Sequence, residues 1–147
     1  MSRKHNRKGF TLIEMLVVIA IIAVLVAIVI PIVNSSTDRS EAATDAANLR
    51  AVLAALNVDV LNGNKTVNDI LADAVYPTSK FDSNAVLTVV YNAPGFIDVY
   101  YVNGSTYYGL DYLTEVAEKG TSDVSTAEPT VPAGSVWYEA GVGEITD

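Results

Sequence analysis

The sequence lacks cysteine altogether and contains a single histidine, His5. Without cysteine, structural disulfides, thiolate metal sites and a cysteine nucleophile are excluded. His5 lies in a basic N-terminal stretch, so a protein that had lost this stretch would contain no imidazole. Histidine-dependent catalytic triads and histidine-ligated zinc would then be excluded as well. We therefore predict no catalytic group, no metal site, no cofactor and no enzymatic activity.

Basic residues are also scarce, and they are unevenly placed. Four of the nine basic side chains fall within the first nine positions. From residue 34 onward, five basic side chains stand against sixteen acidic ones, a net charge of −11. A domain of this charge repels phosphate backbones, so we expect no direct nucleic-acid binding. The same charge suits a domain that stays soluble outside a cell.

Charged side chains are absent between residues 15 and 33. As a helix, residues 10–33 would span roughly 36 Å at about 1.5 Å per residue, which exceeds a bilayer core of about 30 Å. A secretory signal peptide would have a shorter apolar core followed directly by a small-residue cleavage site, and no such site follows here. Basic residues precede the run and none follows until Arg39. We predict a transmembrane helix with the leader in the cytoplasm and the acidic domain outside.

Glu14 is the one charged residue near the start of this apolar run. A charge at the bilayer centre costs about 2.5–3.5 kcal/mol, and less near the interface. One interpretation is a side chain that reaches back to the interface, and the other is a carboxylate that awaits a cation. Cleavage of the Gly9–Phe10 bond would create such a cation, because Phe10 would then carry a free α-amine. Composition alone leaves both interpretations open.

The residues Lys-Gly-Phe-Thr-Leu-Ile-Glu, from Lys8 to Glu14, precede about twenty apolar residues. This arrangement resembles the precursors of type IV pilins and pseudopilins over residues 3–33, about a fifth of the chain. The resemblance implies that a prepilin peptidase cuts after Gly9 and N-methylates Phe10. It also implies that Glu14 is an assembly residue, which pairs with the N-terminal amine of a neighbouring subunit.

Pro31 matches the same family, in which proline is frequent at this place. Its missing N–H cannot bond to the carbonyl of Ala27, so we expect a helix kink. The kink is either a simple bend at the membrane exit or a hinge that lets helices pack in a curved fibre core. Ala23 departs from the family, because many members have a helix-loosening glycine there.

Beyond residue 33 the pattern predicts an amphipathic helix that ends near Gly63. The polar residues 34–38 could interrupt the helix before the periodicity resumes. One apolar stripe follows 4-3-4-3-4 spacing and comprises Ala42, Ala46, Leu49, Leu53, Leu56 and Val60. The opposite, polar face carries Asp45, Asn48, Arg50 and Asp59.

Strand patterns fill most of the remaining sequence. Thr66 is expected to cap a short helix that runs through Val75. Strands are predicted at residues 85–91, 96–102, 105–110 and 135–140, with a hairpin signal at Asn103-Gly104 and a helical turn or two at 111–119. The first three strands should form a meander that covers the helical stripe. Five tyrosines cluster around this hairpin, where cross-strand pairing explains them, although an adhesive surface is the alternative.

The order of elements predicts an α+β fold, with a long N-terminal α-helix packed on a small antiparallel β-sheet head. The helix comprises a hydrophobic membrane half and an amphipathic half. The predicted domains are a cleaved basic leader (1–9), a transmembrane and assembly helix (10–33), the amphipathic half (34–62), and the sheet head with its C-terminal loop region (63–147).

The resemblance implies a structural subunit of a type IV pilus, which serves adhesion, motility or aggregation. The alternative it leaves open is a pseudopilin of a type II secretion or DNA-uptake system. An uncleaved, single-pass anchored binding module is a further alternative. The implied partners are further copies of the chain, minor pilins, the prepilin peptidase, the assembly platform with its ATPase, and the cytoplasmic membrane before assembly. The expected location is that membrane first and a cell-surface pilus afterwards.

Overall fold

The computed structural model describes residues 9–63, 65–73, 76–92, 95–120 and 128–145. The fold is α+β, with a long N-terminal helix packed on a five-stranded antiparallel sheet, which confirms the predicted fold class. Contacts along the chain divide it into two units, Met1–Ser36 and Thr37–Asp147.

The described part of the first unit consists mainly of the beginning of helix α1 (Leu12–Leu61). The many Val and Ile residues here are modest helix formers in water. In lipid, however, a helix satisfies every backbone polar group within the segment, and this requirement outweighs propensity. Residues 9–36 are all exposed. Among the described residues, this helix is the one that is long and apolar enough to cross a membrane by length and composition.

Helix α1 continues through the polar residues 34–38, so the predicted interruption there is wrong. Serine, asparagine and threonine each cost no more than about 0.7 kcal/mol relative to alanine inside a helix. Ending the helix and nucleating another would cost more, because a new first turn fixes several residues for one hydrogen bond. The helix also continues through Pro31. The kink at Pro31 stays a prediction.

In the second unit, the remainder of α1 buries the predicted apolar stripe. Ala42, Ala46, Leu49 and Leu56 are buried, while Leu53 and Val60 are partly buried against the same core. After Leu61 the chain turns at Gly63, whose φ of 70° lies in the left-handed region that favours glycine. The Gly63 N–H donates to the Val60 carbonyl at 3.0 Å, which confirms the predicted stop.

Asp45 was predicted on the polar face of this helix, and that prediction is wrong. Its side chain is fully buried. It follows Ala42 by three residues and precedes Leu49 by four, so it lies on the same stripe as both. Burial of this carboxylate is tolerated because it accepts hydrogen bonds from Ser79 Oγ at 2.5 Å, from the Lys80 N–H at 2.9 Å and from the Phe81 N–H at 3.1 Å.

The sheet has the strand order β3-β2-β1-β4-β5 and pairs antiparallel throughout. The strands are β1 (Val86–Asn92), β2 (Phe96–Asn103), β3 (Thr106–Gly109), β4 (Val136–Glu139) and β5 (Gly143–Ile145). The predicted meander of β1, β2 and β3 is confirmed, as is the strand predicted at 135–140. Strand β5 was missed, because three residues that begin with glycine carry almost no strand signal.

The β2–β3 hairpin is present, but its turn lies one residue later than predicted. Asn103 pairs with Thr106, so the two loop residues are Gly104 and Ser105. Gly104 has a φ of 59°, as expected for glycine at the first central position of a type II′ turn. Helix α3 (Leu110–Lys119) follows directly and is longer than the one or two turns predicted.

Helix α2 (Val67–Asp73) begins with the predicted cap at Thr66. The Thr66 hydroxyl accepts the Asp69 N–H at 3.2 Å, while the Asp69 carboxylate accepts the Thr66 N–H at 3.0 Å. Residues 74 and 75, at the predicted end of this helix, lie outside the described residues.

The core of the second unit lies between α1 and the inner face of the sheet. Its largest fully buried side chains are Tyr101, Leu49, Leu56 and Leu113, joined by Val89, Val99 and Val116. Tyr101 reaches across the core and donates its hydroxyl to the Pro77 carbonyl at 2.9 Å.

Candidate functional site

The candidate site is the segment from Gly9 to Glu14, where the chain enters helix α1. Gly9 and Phe10 precede the helix, and Phe10 is 79% exposed. Glu14 lies in the first helical turn. The structure therefore places the predicted cleavage position just before the helical turn that carries the predicted assembly carboxylate.

Glu14 forms a reciprocal capping box with Thr11. The Thr11 N–H and hydroxyl donate to Glu14 Oε2 at 2.7 and 2.8 Å, and the Glu14 N–H lies 3.3 Å from the Thr11 hydroxyl oxygen. Two N–H groups at the start of the helix, which have no partner inside it, are satisfied in this way. A threonine followed three residues later by glutamate, just before an apolar run, is the sequence signature of this motif. The sequence interpretation of Glu14 overlooked that signature.

The capping box changes what Glu14 needs from a partner. A carboxylate offers about four acceptor positions, so the two bonds from Thr11 leave capacity for an ammonium group. The N-terminal end of a helix also favours a negative charge, typically by about 0.3–1 kcal/mol at exposed positions. Glu14 is thus held in a defined place at the start of the helix and can still accept a further donor.

Gly9 has no structural reason to be glycine within the described residues. A Cβ atom added at this position would meet nothing within 4 Å. A requirement for glycine here would therefore come from a molecule that acts on the chain.

Pro31 is not brought near the other predicted site residues. It lies within α1, seventeen residues beyond Glu14, which corresponds to roughly 25 Å along a helix.

Acidic side chains do not form a metal centre in the described part of the chain. No group of three or more histidine, cysteine, aspartate or glutamate side chains is placed there to hold a metal ion. Asp123, one of the acidic residues in the C-terminal loop region, lies outside the described residues.

The family model for the prokaryotic N-terminal methylation motif matches residues 4–30. This motif is the class III leader of type IV pilins and pseudopilins, so the resemblance noted in the sequence is confirmed. No curated protein and no solved structure matches the chain. The motif supports a type IV pilin-like or pseudopilin protein, and motif and fold together suggest a structural protein.

Two further points follow from the motif. A class III leader implies processing by a prepilin peptidase and assembly into a pilus or a secretion structure. The exposed apolar half of α1, together with the motif, fits membrane anchoring before assembly.

Proposed function

We propose that the protein is a structural subunit of a type IV pilus, which polymerises through its N-terminal helix into an extracellular filament for adhesion, motility or aggregation. One observation carries this proposal. The methylation motif, residues 4–30, includes most of a helical segment, residues 12–33, in which every side chain is exposed and nearly all are apolar. Such a segment needs lipid around it before assembly and other helices around it afterwards.

The polymer is held by more than apolar contact. Lipid tails are as apolar as leucine, so moving this segment from lipid into a bundle of helices gains little hydrophobic free energy. Packing and polar pairs must then favour the assembled state. Glu14 is the charged side chain in this segment, and it supplies such a pair.

In this proposal, residues 1–9 are the cleaved leader and residues 10–33 form the transmembrane and assembly helix. Cleavage after Gly9 gives Phe10 a free amine, which the peptidase N-methylates, and Glu14 of an adjacent copy accepts it. Two unit charges about 4 Å apart attract by roughly 4 kcal/mol at an effective dielectric constant near 20.

In the same proposal, residues 34–62 form the amphipathic half of the helix and residues 63–147 form the sheet head. Pro31 bends the helix. The partners are further copies of the chain, minor pilins, and the assembly platform with its ATPase.

Two variants separate the charge of Glu14 from its capping role. Glu14→Gln keeps an acceptor for the capping box, which uses either glutamate or glutamine, but removes the charge. Thr11→Val removes the capping hydroxyl but leaves the charge. We expect Glu14→Gln to reach normal levels in the membrane, to be processed, and to lower filament yield by at least about tenfold, since about 1.4 kcal/mol per contact gives that factor.

Filament yield is measured by shearing cells and quantifying the protein in the sheared fraction, with electron microscopy of the same cells. Thr11→Val should still form filaments. Normal filaments from Glu14→Gln would show that the charge has no role in assembly. Loss of a secreted activity, with long fibres intact, in cells without the chain would favour a pseudopilin over a pilus subunit.

Gly9 allows the processing step to be tested separately. Because a Cβ at Gly9 meets nothing within the described chain, Gly9→Leu should leave the fold unchanged and block cleavage. We expect the full-length precursor to accumulate in the membrane, with its N-terminus at residue 1 or 2 by mass spectrometry. Gly9→Ala is the conservative control, and we expect it to be processed at least in part. Complete cleavage of Gly9→Leu after residue 9 would show that glycine is not recognised.

A further inference from the structure

The face of the sheet that points away from α1 carries a depression of about 430 Å³. Strand register places Thr88, Tyr100 and Glu139 on this outer face, together with Trp137 and Tyr107. Thr88 and Tyr100 are buried, whereas Trp137, Tyr107 and Glu139 are half-buried. The depression is formed entirely by residues of the second unit.

Aromatic rings form one wall of this depression. The ring of Trp137 packs against the rings of both Tyr100 and Tyr107, with ring centres 6.3 and 5.9 Å apart and ring planes tilted by 35° and 57°. Tyr100 is held in place because its hydroxyl donates to the Asp98 carboxylate. Trp137 and Tyr107 line the depression itself. Tryptophan provides the most favourable of the aromatic faces for a cation.

The charges around the depression are of one sign. Glu128 and Glu139 are among its lining residues, and no basic residue is among those that the structure describes. From residue 81 to the end, the sequence contains ten acidic side chains and one basic side chain, Lys119. Lys119 pairs with Glu115 at 2.7 Å on helix α3. The depression is therefore lined by carboxylates, and no basic side chain among its described lining residues neutralises them.

A second, smaller depression repeats this combination. It measures about 300 Å³, shares Tyr107 with the first and is lined by Asp98 and Asp111 as well as Tyr112. Aromatic faces beside carboxylates thus occur twice, on either side of one tyrosine. A neutral sugar could stack on Trp137 and donate its hydroxyls to the carboxylates, but it would leave their negative charge uncompensated.

We propose that the Trp137 depression binds an organic cation, an ammonium or guanidinium group, with the cation over the indole ring and Glu139 and Glu128 as its counter-charges. The site is independent of the helix-driven assembly proposed above, because none of its residues lies in α1. The same cationic chemistry could be presented by a free small molecule or by lysine or arginine side chains of a polypeptide.

Trp137 is the only tryptophan in the chain, so its fluorescence reports on this depression directly. The full chain, in a nonionic detergent, is titrated with arginine amide, with a short peptide of alternating arginine and glycine, and with a neutral disaccharide. We expect saturable fluorescence changes with both cationic probes, weakened by added salt because the attraction is electrostatic. Tighter binding of the peptide would identify a polypeptide ligand, and equal binding would identify a small cation.

Glu139→Gln should weaken binding of both cationic probes about fivefold, corresponding to the upper end for a partly exposed charge pair. Glu128→Gln removes the second counter-charge at an exposed position outside the strands, so it tests the electrostatic contribution without a change within the sheet. The matched control is Glu144→Gln on β5. Glu144 pairs with Tyr138, which packs on the core, so it belongs to the opposite face of the sheet and its loss should leave binding unchanged.

Two results would overturn the proposal. One is the absence of a saturable change with either cationic probe. The other is saturable binding of the disaccharide that neither Glu139→Gln nor Glu128→Gln alters, which would make the depression a neutral saccharide site. Normal filament assembly accompanies either result if the function proposed above is correct, so failure of one proposal does not imply failure of the other.

Discussion

At the scale of single residues, Asp45 links the helix to the segment before the sheet. Its carboxylate collects the Ser79 hydroxyl and the N–H groups of Lys80 and Phe81, which lie more than thirty residues away in sequence. Without these donors, burial of the Asp45 carboxylate would be strongly unfavourable. The four groups therefore hold residues 79–81 against α1 as one unit.

Asp45→Ala should destabilise the second unit strongly, because it leaves three donors without their acceptor. Hydrogen bonds to a charged group are each worth about 1.5–3 kcal/mol, so we expect a loss of about 3 kcal/mol or more in the free energy of unfolding. The measurement is urea unfolding of the full chain in detergent, followed by Trp137 fluorescence. Asp59→Ala, a partly exposed acid on the same helix, is the control and should change the stability by no more than about 0.5 kcal/mol. Equal stability of the two variants would contradict this role for Asp45.

The misassignment of Asp45 has a physical origin. A spacing rule recognises apolar side chains on a stripe and assigns acidic ones to the other face. Asp45 occupies a position on the stripe, three residues after Ala42. Because it is polar, the rule assigned it to the opposite face. The donors that make its burial favourable come from Ser79, Lys80 and Phe81, and no local pattern joins those positions to residue 45.

At the scale of elements, two helices begin in the same way. Thr11 with Glu14 and Thr66 with Asp69 each form a reciprocal cap. Both caps could be predicted from a threonine followed three residues later by an acid, and only the Thr66 cap was. The apolar stripe and three neighbouring strands also followed from periodicity. Strand β5 and the continuous helix through residues 34–38 could not be predicted in this way. Pairing with β4 determines β5, and the cooperativity of helix formation keeps α1 continuous.

Thr66→Ala tests how much such a cap contributes. Loss of an N-cap hydroxyl typically costs about 1 kcal/mol, and we expect a decrease of that size in the free energy of unfolding measured by urea. Thr66→Ser keeps the hydroxyl and is the control, with an expected change of only a few tenths of a kcal/mol. A Thr66→Ala protein as stable as Thr66→Ser would show that the Asp69 carboxylate alone caps the helix.

At the scale of the whole molecule, composition and one motif predict the class of protein well. The resemblance to pilin precursors is confirmed over residues 4–30, whereas the roles of Gly9, Phe10, Glu14 and Pro31 stay predictions. Those roles concern molecules other than a single chain, namely a peptidase and neighbouring subunits. The outer depression was foreseen only as a cluster of tyrosines. Its Trp137 and Glu139 come from a strand nearly thirty residues further along the chain than Tyr107, so only the sheet register brings them together.

The response of stability to alkaline pH also belongs to the molecule as a whole. Burial, followed by the negative charge of Asp45, raises the pKa of Tyr101 to about 12. Burial, followed by the hydrogen bond to Asp82, raises the pKa of Tyr108 to about 12 as well. In the unfolded chain both tyrosines titrate near their ordinary pKa of about 10. Between these values the folded state holds protons that the unfolded state has released, so stability falls as pH rises from about 10 to about 12.

Urea midpoints measured at intervals from pH 8 to pH 12 should therefore be level at first and then decline steeply above about pH 10. Tyr101→Phe removes one titrating group. It also removes the bond to the Pro77 carbonyl, which lowers stability at pH 8 by about 1 kcal/mol. Its decline above pH 10 should nevertheless be shallower than that of the parent protein, a difference that a purely structural defect would not produce. Parallel declines for the two proteins would mean that Tyr101 titrates alike in the folded and unfolded chains, and that the core admits its ionised form.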